Sequence, residues 1–108
     1  MNEAIEQEVH VIEDINTATI FELKHTPNVR IDKLNYGQRV KVSIGLKDTE
    51  HPQTEEHLIE WIKVYAAGQL VGEARFTAAD TPVAEFELMS EDQVVVQAFC
   101  NLHGVWQA

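Results

Sequence analysis

The single cysteine of the chain, Cys100, stands three positions before an imidazole in Cys100-Asn101-Leu102-His103-Gly104-Val105-Trp106. A thiolate and an imidazole are both metal donors, but a lone Cys-x-x-His is a weak signal for a metal site. Two more histidines, His51 and His57, lie six apart in His51-Pro52-Gln53-Thr54-Glu55-Glu56-His57, and another opens His25-Thr26-Pro27. Together these four imidazoles and the thiolate supply five soft or borderline donors, with no second cysteine to compete. Imidazole suits several first-row metals and thiolate biases toward copper, zinc or iron, so the donor types alone do not name the metal. Their number narrows it. Five donors exceed the closed shell of structural zinc, and on an iron that accepts six ligands they leave one position open.

The segments Lys24-His25-Thr26-Pro27, His51-Pro52, Glu56-His57-Leu58-Ile59-Glu60-Trp61-Ile62 and Cys100-Asn101-Leu102-His103-Gly104-Val105-Trp106, in this order and at these separations, resemble the superoxide reductases. That family includes neelaredoxin and the iron domain of desulfoferrodoxin, and the resemblance runs from about Glu22 to Trp106. It implies one mononuclear non-haem iron, Fe(2+)/Fe(3+), with His25, His51, His57 and His103 as equatorial ligands and the Cys100 thiolate axial. It also implies an enzyme that reduces superoxide by one electron to hydrogen peroxide at the position trans to the thiolate. An axial thiolate pushes electron density toward the position opposite it, and the backbone N–H groups of Leu102 and His103 are expected to bond the sulfur and tune it. Lys24 matches the family lysine that attracts the anion, a task suited to a compact ammonium with three donors. Where the family carries glutamate before that lysine, this chain has Leu23. A carboxylate that closes the oxidised iron is therefore expected to be missing. The resemblance further suggests a rubredoxin-like electron donor and a homo-oligomer, a tetramer foremost. No four-cysteine rubredoxin-like segment occurs in the chain, which matches the one-iron form.

Other functions are excluded by charge. Eighteen acidic against eight basic residues give a net charge of −10, a poor match to nucleic acid or an anionic membrane. Six of the cations, Lys24, Arg30, Lys33, Arg39, Lys41 and Lys47, nevertheless cluster around the His25 segment. A local positive region on an acidic protein can steer a small anion inward; singly, all but Lys24 read as ordinary solvated charges. One cysteine allows no intrachain disulfide, no apolar run approaches the roughly 20 residues of a membrane span, and Met1-Asn2-Glu3-Ala4-Ile5-Glu6 lacks the pattern of a secretion signal. A cytoplasmic protein is expected. At 108 residues the chain is read as one domain, 1–108, with 1–20 as an N-terminal extension.

The elements that must position the donors read as strands. Glu3 to Ile12 suits a short helix or an edge strand, Asn16-Thr17 a turn, and His10, alternating with Val9 and Val11, a surface or packing role and not a ligand. Phe21 to Asp32 is expected to be extended or loop, because Pro27 disfavours helix in the residue before it. On such a segment Glu22 would face away from Leu23's side. Gln38 to Ile44 alternates as a half-buried strand, Glu56 to Ala66 is apolar without strict alternation, and Ala67-Gly68-Gln69 signals a hairpin turn. Leu70 to Thr77 is a strand interrupted at Gly72, Ala78 to Pro82 a turn, Val83 to Leu88 an alternating strand, and Val94 to Cys100 a run expected to be buried on both faces. Trp61 and Trp106 are expected in the core. Short strands separated by turns predict an all-β, antiparallel sandwich of about seven strands, in agreement with the immunoglobulin-like sandwich that the resemblance implies.

Two further functional classes fit the residues. A cupredoxin-like electron carrier would need two histidines and a weak axial methionine, yet the chain has four well-spaced histidines and its methionines, Met1 and Met89, do not follow His103. A non-catalytic iron-binding module is the other.

Overall fold

The structure, a computed structural model, describes residues 8–108. Among these residues eight strands form two sheets: β1 Val9–Val11, β2 Pro27–Lys33, β3 Gln38–Ile44, β4 Ile59–Ala66, β5 Gln69–Arg75, β6 Ala84–Leu88, β7 Val94–Cys100 and β8 Gly104–Gln107. One sheet has the order β1-β8-β7-β4-β5 and the other β2-β3-β6. The expected all-β sandwich is therefore present, with one strand more than anticipated. That strand is β1, which runs parallel to β8 while every other pairing is antiparallel. The part of Glu3 to Ile12 that is described is thus an edge strand, and the remainder lies outside the described residues.

Alternation decides which residues enter the core. On β3 the positions Val40, Val42 and Ile44 point inward and meet Ile59, Ile62, Val64, Val96, Ala98 and Cys100 of the opposite sheet. Ile59 and Ile62 are both fully buried though three apart, which strict alternation forbids. A β-bulge accounts for it: the step from Ile59 to Trp61 faces the single step from Cys100 to Phe99. That bulge is why Glu56 to Ala66 lacks a clean period. The break at Gly72 has its own cause, since a Cβ there would sit 2.6 Å from the ring of Phe86, so only glycine lets the two sheets close at that point.

Two expectations need correction. Val94–Cys100 is buried on one face only, with Val95 exposed and Gln97 and Phe99 half-buried, because no second layer among the described residues covers the outer face of its sheet. Residues Ile20–His25 form a short helix, α1, instead of an extended segment. A capping box starts it: the Glu22 N–H donates to Thr19 Oγ1 at 3.1 Å, and Glu22 Oε1 accepts from the Thr19 N–H at 2.8 Å. The constraint imposed by Pro27 acts on Thr26 alone, which is extended as required (φ −83°, ψ 132°) and ends the helix. Leu23 points into the protein from this helix, 5% exposed, and its carbonyl accepts from the Leu46 N–H at 3.0 Å.

Candidate metal centre

Three pieces of chain converge at one end of the sandwich. β7 delivers Cys100 in full burial, and the turn Asn101 to His103 returns the chain to β8, with Gly104 at φ +84° opposite Cys100. A left-handed residue is needed at Gly104 to close so short a turn. His25 comes from the last turn of α1, and His51 and His57 from the irregular stretch between β3 and β4.

The four imidazoles stand in a ring. His25, His51, His57 and His103 follow one another with centroids 4.7, 4.6, 5.1 and 4.9 Å apart. Each neighbouring pair is close to perpendicular, at 78°, 78°, 74° and 87°. The donor atoms of His25, His51, His57 and Cys100 all lie within 4.8 Å of one another. His103 joins through Nδ1, 3.1 Å from His25 Nε2 and 3.7 Å from Cys100 Sγ. All five expected donors are thus in one place. His10 is elsewhere, stacked on Trp106 with centroids 4.6 Å apart, a packing role as expected.

The proton arrangement suits a cation. His25 Nδ1–H donates to the Phe21 carbonyl and His51 Nδ1–H to the Pro52 carbonyl, each at 2.6 Å, which turns both Nε2 lone pairs inward. His51 Nε2 and His57 Nε2 are buried and have no hydrogen-bond partner among the described residues. Buried polar atoms rarely stay unpaired, and two that face a thiol and two further imidazoles suit one iron ion. Burial favours the neutral form of three of these rings: it is the main cause that lowers His25, His57 and His51, the last to about 4. Mutual repulsion and the Lys24 charge act on His25 in the same direction, and Lys24 also acts on His57. Burial raises the Cys100 thiol, opposed by hydrogen bonds from the backbone N–H groups of Leu102 and His103, the two amides expected to bond the sulfur. A metal would displace that proton.

Lys24 is half-buried on α1, and its charge reaches two of the imidazoles. His25, His51 and Cys100 are shielded while His57 and His103 are partly open, so solvent meets the centre on their side. The cleft beside His51 is the wrong approach for an anion, being lined by Asp48, Glu50 and Asp80. The Glu22 carboxylate is engaged by Thr19 in the capping box, and Leu23 is core.

Several residues at the centre were not apparent from the sequence. Phe21 packs its ring on His25 at 4.5 Å and on His103 at 4.8 Å, and its carbonyl orients His25. Trp106 stacks on His25 at 5.0 Å. Gln53 and Asn101 bind the loop of His51 and His57 to the sheet. For Phe21 a signal did exist, the Thr19-x-x-Glu22 capping pattern, which predicts a helix and so brings residues four apart together.

Comparison with known proteins agrees with this geometry. The family profile described as Desulfoferrodoxin matches residues 17–108. A desulfoferrodoxin homolog of Archaeoglobus fulgidus is 40% identical over 85 residues, covering 79% of this chain and 62% of its own length. The chain thus spans somewhat under two thirds of that relative. A superoxide reductase of Pyrococcus abyssi is 35% identical over 96 residues, covering 78% of this chain and 83% of its own. Among solved structures, the reduced superoxide reductase (neelaredoxin) of Archaeoglobus fulgidus superposes with a TM-score of 0.71 at 31% identity, covering 85% of this chain and 90% of that one. With a matching family profile, a matching fold and a His- and Cys-lined centre, the chain belongs to the desulfoferrodoxin family, that of the superoxide reductases and neelaredoxins.

Proposed function

We propose that this chain is a superoxide reductase whose iron is held by His25, His51, His57 and His103 through nitrogen and by Cys100 through sulfur. The observation that carries the reading is the ring of four near-perpendicular imidazoles around buried, unpartnered His51 Nε2 and His57 Nε2, with the only thiol of the chain beside them. When bound by these residues, iron would supply the one-electron redox chemistry that reduction of superoxide needs.

The chain's own groups do the rest. Lys24 draws a small anion toward the open side near His57, against the repulsion of a protein with net charge −10. The Leu102 and His103 N–H groups moderate the basicity of the Cys100 sulfur. Phe21 and Trp106 wall the His25 side, so protons enter from solvent past His57 and His103. Each superoxide requires one electron and two protons to become hydrogen peroxide. Leu23 is a buried core residue and would offer no carboxylate to an iron held there.

Around this reading we place a rubredoxin-like one-electron donor, a tetramer, a single domain with residues 1–20 as an N-terminal extension, and a cytoplasmic setting. No helix among the described residues is long and apolar enough to cross a membrane. The test is anaerobic metal analysis combined with a superoxide-consumption assay. One iron per chain with peroxide formed stoichiometrically is expected; an iron-loaded protein that leaves superoxide untouched would refute the reductase.

A further inference from the structure

His57 differs from the other Nε2 donors. The rings of His25 and His51 are oriented by backbone carbonyls through Nδ1, whereas among the described residues no hydrogen bond to the protein fixes the His57 ring. Its aim must come from its main chain. Thr54 closes the loop on itself there, exchanging backbone bonds with His57 at 3.0 and 3.3 Å, but Thr54 belongs to the same loop and cannot set where that loop sits.

The link to the rest of the centre is Asn101. Its Oδ1 accepts from the Leu58 N–H at 2.9 Å, its Nδ2–H donates to the Glu56 carbonyl at 3.0 Å, and its backbone N–H donates to the Leu58 carbonyl at 3.1 Å. These three bonds take hold of the residues on both sides of His57. Asn101 also follows Cys100 directly, so one residue joins the thiolate strand to the loop imidazole. We propose that Asn101 is a positioning residue that sets the His57 donor relative to the Cys100 sulfur. The inference rests on the metal-centre reading above.

An amide is the side chain this role requires. It offers an acceptor and a donor on one short stem, so it can satisfy an N–H and a C=O that belong to different peptide groups. Aspartate keeps the acceptor for Leu58 but presents a second oxygen to the Glu56 carbonyl. Alanine keeps only the backbone bond. Loss of partners that orient a ligand lowers metal affinity by roughly 10- to 100-fold.

The test is a cobalt(II) titration of the metal-free protein, read by the cobalt–thiolate band and by the affinity. Asn101→Ala should bind cobalt at least about tenfold more weakly and with a shifted band, and Asn101→Asp should fall between it and wild type. The decisive arm repeats both substitutions on His57→Ala. If Asn101 acts through His57, its replacement costs almost nothing there, because effects that share a partner do not add. Should Asn101→Ala fail to fold by circular dichroism, Asn101→Asp with and without His57→Ala carries the same comparison. Wild-type affinity in the single variants, or an equal loss in the His57→Ala background, would overturn the role. A wild-type chain that binds no cobalt would overturn the metal centre itself and this inference with it.

Discussion

Cys100 and His57 serve one centre from opposite kinds of support. Cys100 ends a central strand, paired with β4 on one side and β8 on the other, and its side chain is 0% exposed in the main core cluster. His57 and His51 lie on residues 45–58, outside any strand, in a stretch where Gly45, Lys47 and Asp48 have positive φ. The strand needs no side chain to hold its donor in place, since the ladder and the core do so. The loop is tied by side chains: Gln53 accepts from the Ile59 N–H and donates to the Ile59 and Thr77 carbonyls, and Asn101 brackets His57. The sulfur is therefore fixed by the fold, and two imidazoles are fixed by a few replaceable amides.

Cys100→Ser breaks the comparison on the strand side. Serine fits the same buried place but offers a hard, mostly protonated hydroxyl, so the sulfur-to-iron charge-transfer band of the oxidised protein should vanish. A band that persists would remove the thiolate from the site. Lys24→Ala keeps every donor and removes only the attraction. It should slow the reaction with superoxide about tenfold at low salt, and the wild-type rate should fall as salt shortens the screening length to about 10 Å at 0.1 M. Stopped-flow rates that are flat in salt and unchanged in Lys24→Ala would end that assignment.

Gln53→Ala tests the loop side. It leaves the N–H and C=O of fully buried Ile59 short of partners, a loss of about 1–3 kcal/mol, visible as a lower Tm of the metal-free protein. The corresponding loss for an outward strand residue such as Gln97 should be near zero, and equal effects would erase the contrast. Acid gives the broadest effect. The folded metal-free chain holds His51 at about 4, with His25 and His57 lowered in the same direction. Between about pH 6.5, the ordinary histidine value, and pH 4 the unfolded chain binds protons that the folded one refuses. Stability should fall as pH drops through that window, and bound metal should protect against it. A Tm flat from pH 7 to 4 would contradict the burial ascribed to these rings.

The same contrast explains what could be read from sequence. Strand periods at Gln38–Ile44 and Ala84–Leu88 are local, and the donor set is carried by rare residue types at distinctive spacings, so both were legible. The bulge at Glu60 and the parallel partner of β1 depend on which strand lies opposite, information absent from any single segment. Helix α1 was hidden differently: Pro27 suggested an extended chain, although its constraint reaches only Thr26, and the capping pair Thr19 and Glu22 carried the stronger local signal. Asn101 and Gln53 are ordinary polar residues whose role arises from partners some 43 positions away or across a loop. Leu23 could be read as a missing carboxylate, but not as a core residue whose replacement by glutamate would bury a charge.

The chain's two tryptophans sit in unlike surroundings. Trp61 stacks on Phe99 beneath the Lys63 ammonium on the outer face of the large sheet, and Trp106 stacks on both His25 and His10. Only the second touches a ring of the metal centre. Its emission should therefore dim when a paramagnetic ion enters, while that of Trp61 stays nearly constant as an internal standard. In a Trp61→Phe protein the whole indole signal would report occupancy, giving the molecule an optical gauge of its own loading without any added dye.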